Sequence, residues 1–143
     1  MQNPSSNFPV PETWHPHRVS YGETDAMGVV YYANYLHWFE ISRSQYIRDR
    51  GISYARIEEQ GIYLPVTSAY CRYFRPARFD DLIYIRAGIS NWRRASFTFD
   101  YEVTCEDKKV VLTAGQTGHA CVNTRGKPVK VPDWLRAMCE KVD

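Results

Sequence analysis

Residues 31–51 read YYANYLHWFEISRSQYIRDRG, and the spacing of their large side chains is helical. Tyr31, Tyr35, Trp38, Phe39, Ser42 and Tyr46 fall at the i, i+4, i+7 and i+8 intervals that one helix face presents. Leu36, Ile41 and Ile47 put apolar groups on other faces, so the first three turns need burial nearly all round. Charge gathers late, in Arg43, Arg48, Asp49 and Arg50, where cations suit the helix C-terminus, and Gly51 supplies the stop.

Working outward, Ser53 can cap a second short helix, YARIEEQ, ended by Gly61. Beyond it, runs near 63–74, 81–91, 94–105 and 108–121 are rich in Tyr, Val, Ile, Thr and Phe. Turn chemistry separates them at Arg75-Pro76-Ala77, Asn91-Trp92-Arg93 and Glu106-Asp107-Lys108, and follows them at Asn123-Thr124-Arg125-Gly126. Pro132-Asp133 opens a last short helix around Trp134 to Cys139. Before the long helix, Trp14 to Tyr21 is a short extended run closed at Gly22. Residues 1–12, with Pro4, Pro9 and Pro11 among Ser, Asn and Gln, read as a flexible arm. Four or five antiparallel strands curled around one buried helix make a single α+β domain over residues 13–143. Its outer strands leave edges that dimerisation pairs away.

The stretch with chemical content is Tyr21-Gly22-Glu23-Thr24-Asp25-Ala26-Met27-Gly28-Val29-Val30-Tyr31-Tyr32. It sets the carboxylate of Asp25 on a glycine-flanked loop, seven residues ahead of Tyr32 at the expected helix start. The first N–H groups of a helix have no internal partner and carry the positive end of its dipole. They can polarise a carbonyl and hold the oxyanion that develops on it, while a nearby carboxylate attacks the carbonyl carbon or activates water. An Asp in such a loop is also an ordinary cap or turn residue.

YGETDAMGVVYYANYLHWFEISR resembles the signature of the 4-hydroxybenzoyl-CoA thioesterase family, and the likeness runs from about residue 16 to residue 135. The resemblance implies a hot-dog fold, a curved antiparallel sheet wrapped around a long central helix. It implies an acyl-CoA thioesterase with Asp25 as the catalytic carboxylate, nucleophile or general base, and the Tyr32 backbone N–H as the group that polarises the thioester. A second matching block, Asn91-Trp92-Arg93-Arg94-Ala95-Ser96-Phe97, implies that Arg93 and Arg94 bind the CoA phosphates; Ala95 stands where the family has a lysine. Tyr31-Tyr32 replaces the Tyr-His of many bacterial members, which leaves the backbone N–H intact. The substrate is expected to be an aromatic or short-chain acyl-CoA, with no cofactor. The competing reading is a non-catalytic acyl-CoA or acyl-carrier-protein binding protein of the same fold. A homo-oligomer, dimer or tetramer, is expected.

Composition narrows the partners. The 143 residues carry 18 basic and 16 acidic side chains, a net charge of +2, too balanced for a nucleic-acid binder. No apolar stretch approaches the ~20 residues of a membrane span. The segment MQNPSSNFPVPETW has neither a basic n-region nor an apolar h-region, so no secretion signal is expected. Cys71, Cys105, Cys121 and Cys139 are widely spaced and read as reduced thiols of a cytoplasmic protein. His15 and His17 share a strand face but lack further ligands, so no metal site is expected. Glu40 and His37 lie on the long helix and read as interface or packing groups; Arg72, Arg75 and Arg78 read as a charged edge. Aromatics at 15%, eleven of them Tyr, suit a core and an oligomer interface.

Overall fold

The computed structural model describes residues 2–141; Met1, Val142 and Asp143, the outermost residues of the arm and domain read above, lie outside the described residues. In chain order the elements are β1 (Glu12–Arg18), a 3-10 turn (Tyr21–Glu23), α1 (Asn34–Asp49), α2 (Tyr54–Glu59), β2 (Val66–Tyr73), β3 (Leu82–Ser90), β4 (Ser96–Thr104), β5 (Val111–Ala120) and α3 (Asp133–Glu140). The strands form one sheet in the order β1-β3-β4-β5-β2, every neighbouring pair antiparallel. The sheet covers α1, as the α+β hot-dog reading requires, and β1 and β2 are its two edges. Ser53 caps α2 as expected, its hydroxyl accepting from Arg56 N–H at 3.2 Å.

The helical stripe is the core. Trp38, Phe39 and Tyr46 are fully buried with Ile83, Ile85, Phe99, Tyr101 and Val103 of the sheet. The Phe39 ring stacks on Tyr101 at 4.2 Å with only 4° between the planes, and Tyr46 meets Phe99 edge-on at 5.2 Å. Each such side chain contributes about 1.5–3 kcal/mol by leaving water.

Three expectations are corrected. The helix starts at Asn34 rather than Tyr31, because the chain first makes a tight turn: Asn34 N–H donates to Tyr31 O at 3.0 Å and Tyr35 N–H to Tyr32 O at 3.3 Å. Tyr31 thereby leaves the stripe and is exposed. Burial all round α1 is also not met, since the sheet of one chain covers one side; Leu36, His37 and Glu40 stay exposed beside β2, nearly all of which is exposed too. The described part of the flexible arm, finally, is docked on the outer face of the sheet. Ser5 N–H donates to the Glu102 carboxylate at 3.1 Å, Arg86 Nη1 to Ser5 O at 3.0 Å, and Val111 N–H to Gln2 O at 2.8 Å. Phe8 is buried under the Arg86 guanidinium, 4.2 Å from its ring centre, and Glu12 already belongs to β1. Charged groups on an outer sheet face supply the partners that a proline-rich segment cannot find in itself.

Candidate active site

Asp25 sits in a small hairpin formed by residues 23–31. Tyr31 N–H donates to Glu23 O at 2.9 Å, Thr24 bridges to Val30, and Asp25 N–H donates to Val29 O at 2.9 Å. Gly28 turns the tip with φ of 77°, a conformation that side chains rarely take, and its N–H donates to Asp25 O at 3.0 Å. The Asp25 carboxylate accepts from Met27 N–H at 2.8 Å and from Val29 N–H at 3.4 Å, and the residue is exposed. The hairpin thus folds the seven-residue separation back, and Asp25 stands two residues, roughly 7 Å, from the level at which the chain enters Tyr31-Tyr32.

The second arm of the hairpin is fastened to the segment before β3. Val30 N–H donates to Ala77 O at 2.9 Å, and Val29 bridges to Arg78. Tyr35 Oη accepts from Ala77 N–H at 3.2 Å, and Tyr73 Oη donates to the Tyr32 carbonyl at 3.2 Å. The Tyr32 N–H itself donates to no group among the described residues. Tyr32 is 61% exposed, and its ring packs on that of Tyr31 at 4.6 Å between centres. Beside it Val30, Tyr32, Tyr35, Tyr73, Phe74, Arg75 and Pro76 line an open cleft of about 340 Å³. The Asp25 hairpin, the unpartnered Tyr32 N–H in the turn that leads into α1 and an aromatic cleft therefore follow one another along this segment.

The base of the hairpin carries a group that reading the sequence passed over. The Glu23 carboxylate accepts from Ser20 N–H at 2.8 Å, from His17 Nε2 at 2.8 Å, and from the Trp38 indole N–H. Burial works to raise its pKa, but the bonds from Ser20, Trp38 and His17 outweigh it and hold the carboxyl below the usual carboxylate range. Asn34 Nδ2 donates to the Glu23 carbonyl at 2.8 Å. The available signal was Ser20-x-x-Glu23, a capping box that closes the 3-10 turn. His17, weighed above beside His15 as a metal pair, is committed to Glu23 instead. Among the described residues no group of three or more His, Cys, Asp or Glu has a metal-holding arrangement, and no helix is long and apolar enough to cross a membrane.

Arg93 and Arg94 are both exposed in the bend between β3 and β4, where Asn91 has φ of 59°. Arg93 N–H donates to Ser96 O at 2.8 Å and Val131 N–H to Arg94 O at 2.8 Å, so the backbone is fixed and the side chains are free. Neither forms an ion pair among the described residues. This bend follows the last residue of β3, whereas the Asp25 hairpin lies against the segment before its first. Nine strand residues separate the two ends, roughly 30 Å. One chain therefore does not bring Asp25 and the arginine bend together. Glu40 is exposed on α1, 4.0 Å from His37. Both line a groove of about 350 Å³ between α1 and β2 with Leu36, Arg43, Val66, Ala69 and Thr117.

The acyl-CoA thioesterase YbgC of Haemophilus influenzae is 33% identical over 124 residues, 85% of this chain and 90% of that one. The 1,4-dihydroxy-2-naphthoyl-CoA hydrolase of a Synechocystis species is 26% identical over 127 residues, 86% of this chain and 91% of that one. The fold matches that of a 4-hydroxybenzoyl-CoA thioesterase variant complexed with 4-hydroxybenzoyl-CoA, with a TM-score of 0.81 at 23% identity over 90% of this chain and 98% of that one. Residues 19–138 match the thioesterase-like superfamily, and the chain belongs to it.

Proposed function

We propose that the protein is a cytoplasmic acyl-CoA thioesterase in which Asp25 and the Tyr32 N–H act on the thioester carbonyl. The observation that carries this is the hairpin that folds Asp25 back toward the turn leading into α1, whose Tyr32 N–H has no partner among the described residues. In this reading the Tyr32 N–H donates to the thioester oxygen and holds the charge that builds on it. The Asp25 carboxylate attacks the carbonyl carbon, or takes a proton from a water that does so. The C–S bond breaks, CoA leaves as the thiol once protonated, and water supplies the oxygen of the free acid. The aromatic cleft beside Tyr32, together with a relative named for a naphthoyl-CoA substrate, favours an aromatic acyl group.

Arg93 and Arg94 enter the site of a second copy. If two chains pair antiparallel along β2, each one's Val66 end meets the other's Tyr73 end. The arginine bend of one subunit then faces the Asp25 hairpin of its partner and is free to take the CoA phosphates.

Release of free thiol from CoA esters, followed with a thiol-reactive dye, tests the proposal. Asp25→Asn is expected to lose at least about 10²-fold in kcat while still binding CoA, in keeping with removal of a general base or nucleophile. Turnover near that of the parent would overturn the assignment. Tight acyl-CoA binding without turnover in the parent would instead make this a binding protein.

A further inference from the structure

Glu23 stands two residues before Asp25 and joins three elements from different parts of the chain. Its side chain is 16% exposed and accepts from His17 on β1, from the Ser20 N–H and hydroxyl, and from the Trp38 indole on α1. Its carbonyl accepts from Tyr31 N–H and from Asn34 Nδ2. Six donors on one residue fix the base of the hairpin in both position and rotation.

Closing the 3-10 turn requires only Ser20. The bonds from His17 and Trp38 reach past that turn, to the edge strand and to the second turn of α1. The Asp25 side chain, by contrast, bonds among the described residues only to Met27 and Val29 N–H groups inside its own hairpin. Where Asp25 points relative to α1 is therefore set by the anchored base two residues away together with the second arm's bonds to Ala77 and Arg78, and of these only the base reaches β1 and α1.

We propose that Glu23 is a positioning residue for thioester hydrolysis: its carboxylate locks β1, the hairpin and α1 into one frame, and it acts on the reaction through Asp25. The proposal rests on the role of Asp25 given above. Glu23→Gln replaces an acceptor oxygen with an NH₂ group among donors, so one or more of the anchoring bonds is lost. A displacement of about 1 Å at a reacting group costs on the order of 10²-fold in rate.

Kinetics at temperatures well below each variant's melting point test this. Glu23→Gln is expected to lower kcat about 10- to 100-fold with KM and CoA affinity changed less than about threefold. His17→Ala removes one anchor from a partly exposed edge strand and is expected to lower kcat about 3- to 10-fold in the same pattern. It carries the test if Glu23→Gln does not fold. In an Asp25→Asn background, Glu23→Gln is expected to add less than about twofold, since a residue acting through Asp25 has nothing left to position. A purely structural role predicts the same loss in both backgrounds, and that result would overturn the proposal. Full kcat in Glu23→Gln and His17→Ala beside an inactive Asp25→Asn would overturn it while leaving Asp25 in place. Turnover near parental levels in Asp25→Asn would remove the Asp25 reading itself, and this proposal with it.

Discussion

Gly115→Ala is expected to be among the most damaging single-methyl additions to this fold. Gly115 lies on β5, where a Cβ would meet Tyr70 O at 2.5 Å and the Phe39 ring at 2.6 and 2.8 Å. Ordinary carbon contacts lie near ~3.5–4.0 Å, so the methyl intrudes by about 1 Å on both. Neither neighbour can retreat freely: Phe39 is enclosed by the core, and Tyr70 O moves only if the edge strand β2 draws away from β5. Phe39 is fully buried and stacked on Tyr101, and Tyr70 O belongs to the backbone of β2. Overpacking of this kind costs about 1–3 kcal/mol, and two constrained neighbours put this case at the upper end. The ~0.5–1 kcal/mol that alanine usually gains over glycine in a strand offsets part of it. A net loss of about 2 kcal/mol lowers the melting temperature of a chain this size by roughly 4–8 °C. Gly88→Ala is the control. Its Cβ would meet Pro9 O at 2.7 Å and Phe8 at 3.1 Å, both on the N-terminal segment. That segment can lift off, so its docking energy caps the cost, and protease sensitivity should appear before Glu12. Thermal unfolding at one fixed protein concentration measures both variants. A Gly115→Ala protein as stable as the parent would refute the packing described for α1 against β5 and β2.

Other outcomes follow from the same geometry. Alanine at both Arg93 and Arg94 should raise KM for CoA esters about tenfold or more with little change in kcat, and leave a pantetheine thioester almost unaffected; equal losses on both substrates would make the bend structural. Light scattering at micromolar concentration should give dimers or tetramers, and a stable monomer would exclude a site shared between subunits. If the site is shared, mixing Asp25→Asn with the double arginine variant should restore activity with the parental KM in mixed dimers, because one of their two sites is then intact. His119 is buried, with Nδ1 donating to Leu64 O and Nε2 accepting from Thr117; burial, only partly opposed by the Leu64 bond, lowers its pKa to about 4. The folded protein thus resists the proton that the unfolded chain takes up near pH 6.5. This contribution is whole above pH 6.5 and is lost toward pH 4 at about 1.4 kcal/mol per unit. Urea midpoints from pH 7 to 4 should fall less steeply in His119→Gln, and parallel curves would refute the assignment.

The long helix was legible because Tyr35, Trp38, Phe39 and Tyr46 are too large to be repeated at helical intervals by anything but a common core. The strands were legible from their runs of β-branched and aromatic residues. The sheet order was not, because alternation along β3 or β5 fixes which residues share a face and says nothing of which strand lies beside it. The exposed side of α1 was misjudged for a related reason: Leu36 has the same apolar signal whether a sheet or a second copy covers it. Asp25 was singled out by the family likeness: its glycines and the helix behind it are neighbours in sequence, but an Asp in such a loop also reads as an ordinary turn residue. Glu23 could not be singled out, since Trp38 lies fifteen residues away and His17 on another element. Its one local sign, the Ser20-x-x-Glu23 spacing, reads as a cap.

The arginine bend makes the limit of motif reading concrete. Arg93 and Arg94 belong to the same likeness as Asp25, yet β3 holds them at opposite ends of the sheet. A resemblance groups residues by what they do in an assembly, whereas periodicity and spacing describe one chain. The two agree only if a symmetry operation carries one end of the chain to the other. An antiparallel pairing of β2 with its copy is such an operation, and β2 is the strand whose outer edge and side chains are open. On the proposed reading, the open edge, the exposed Leu36–Glu40 face and the distance between Asp25 and Arg93 have one explanation, a site that a second copy would complete.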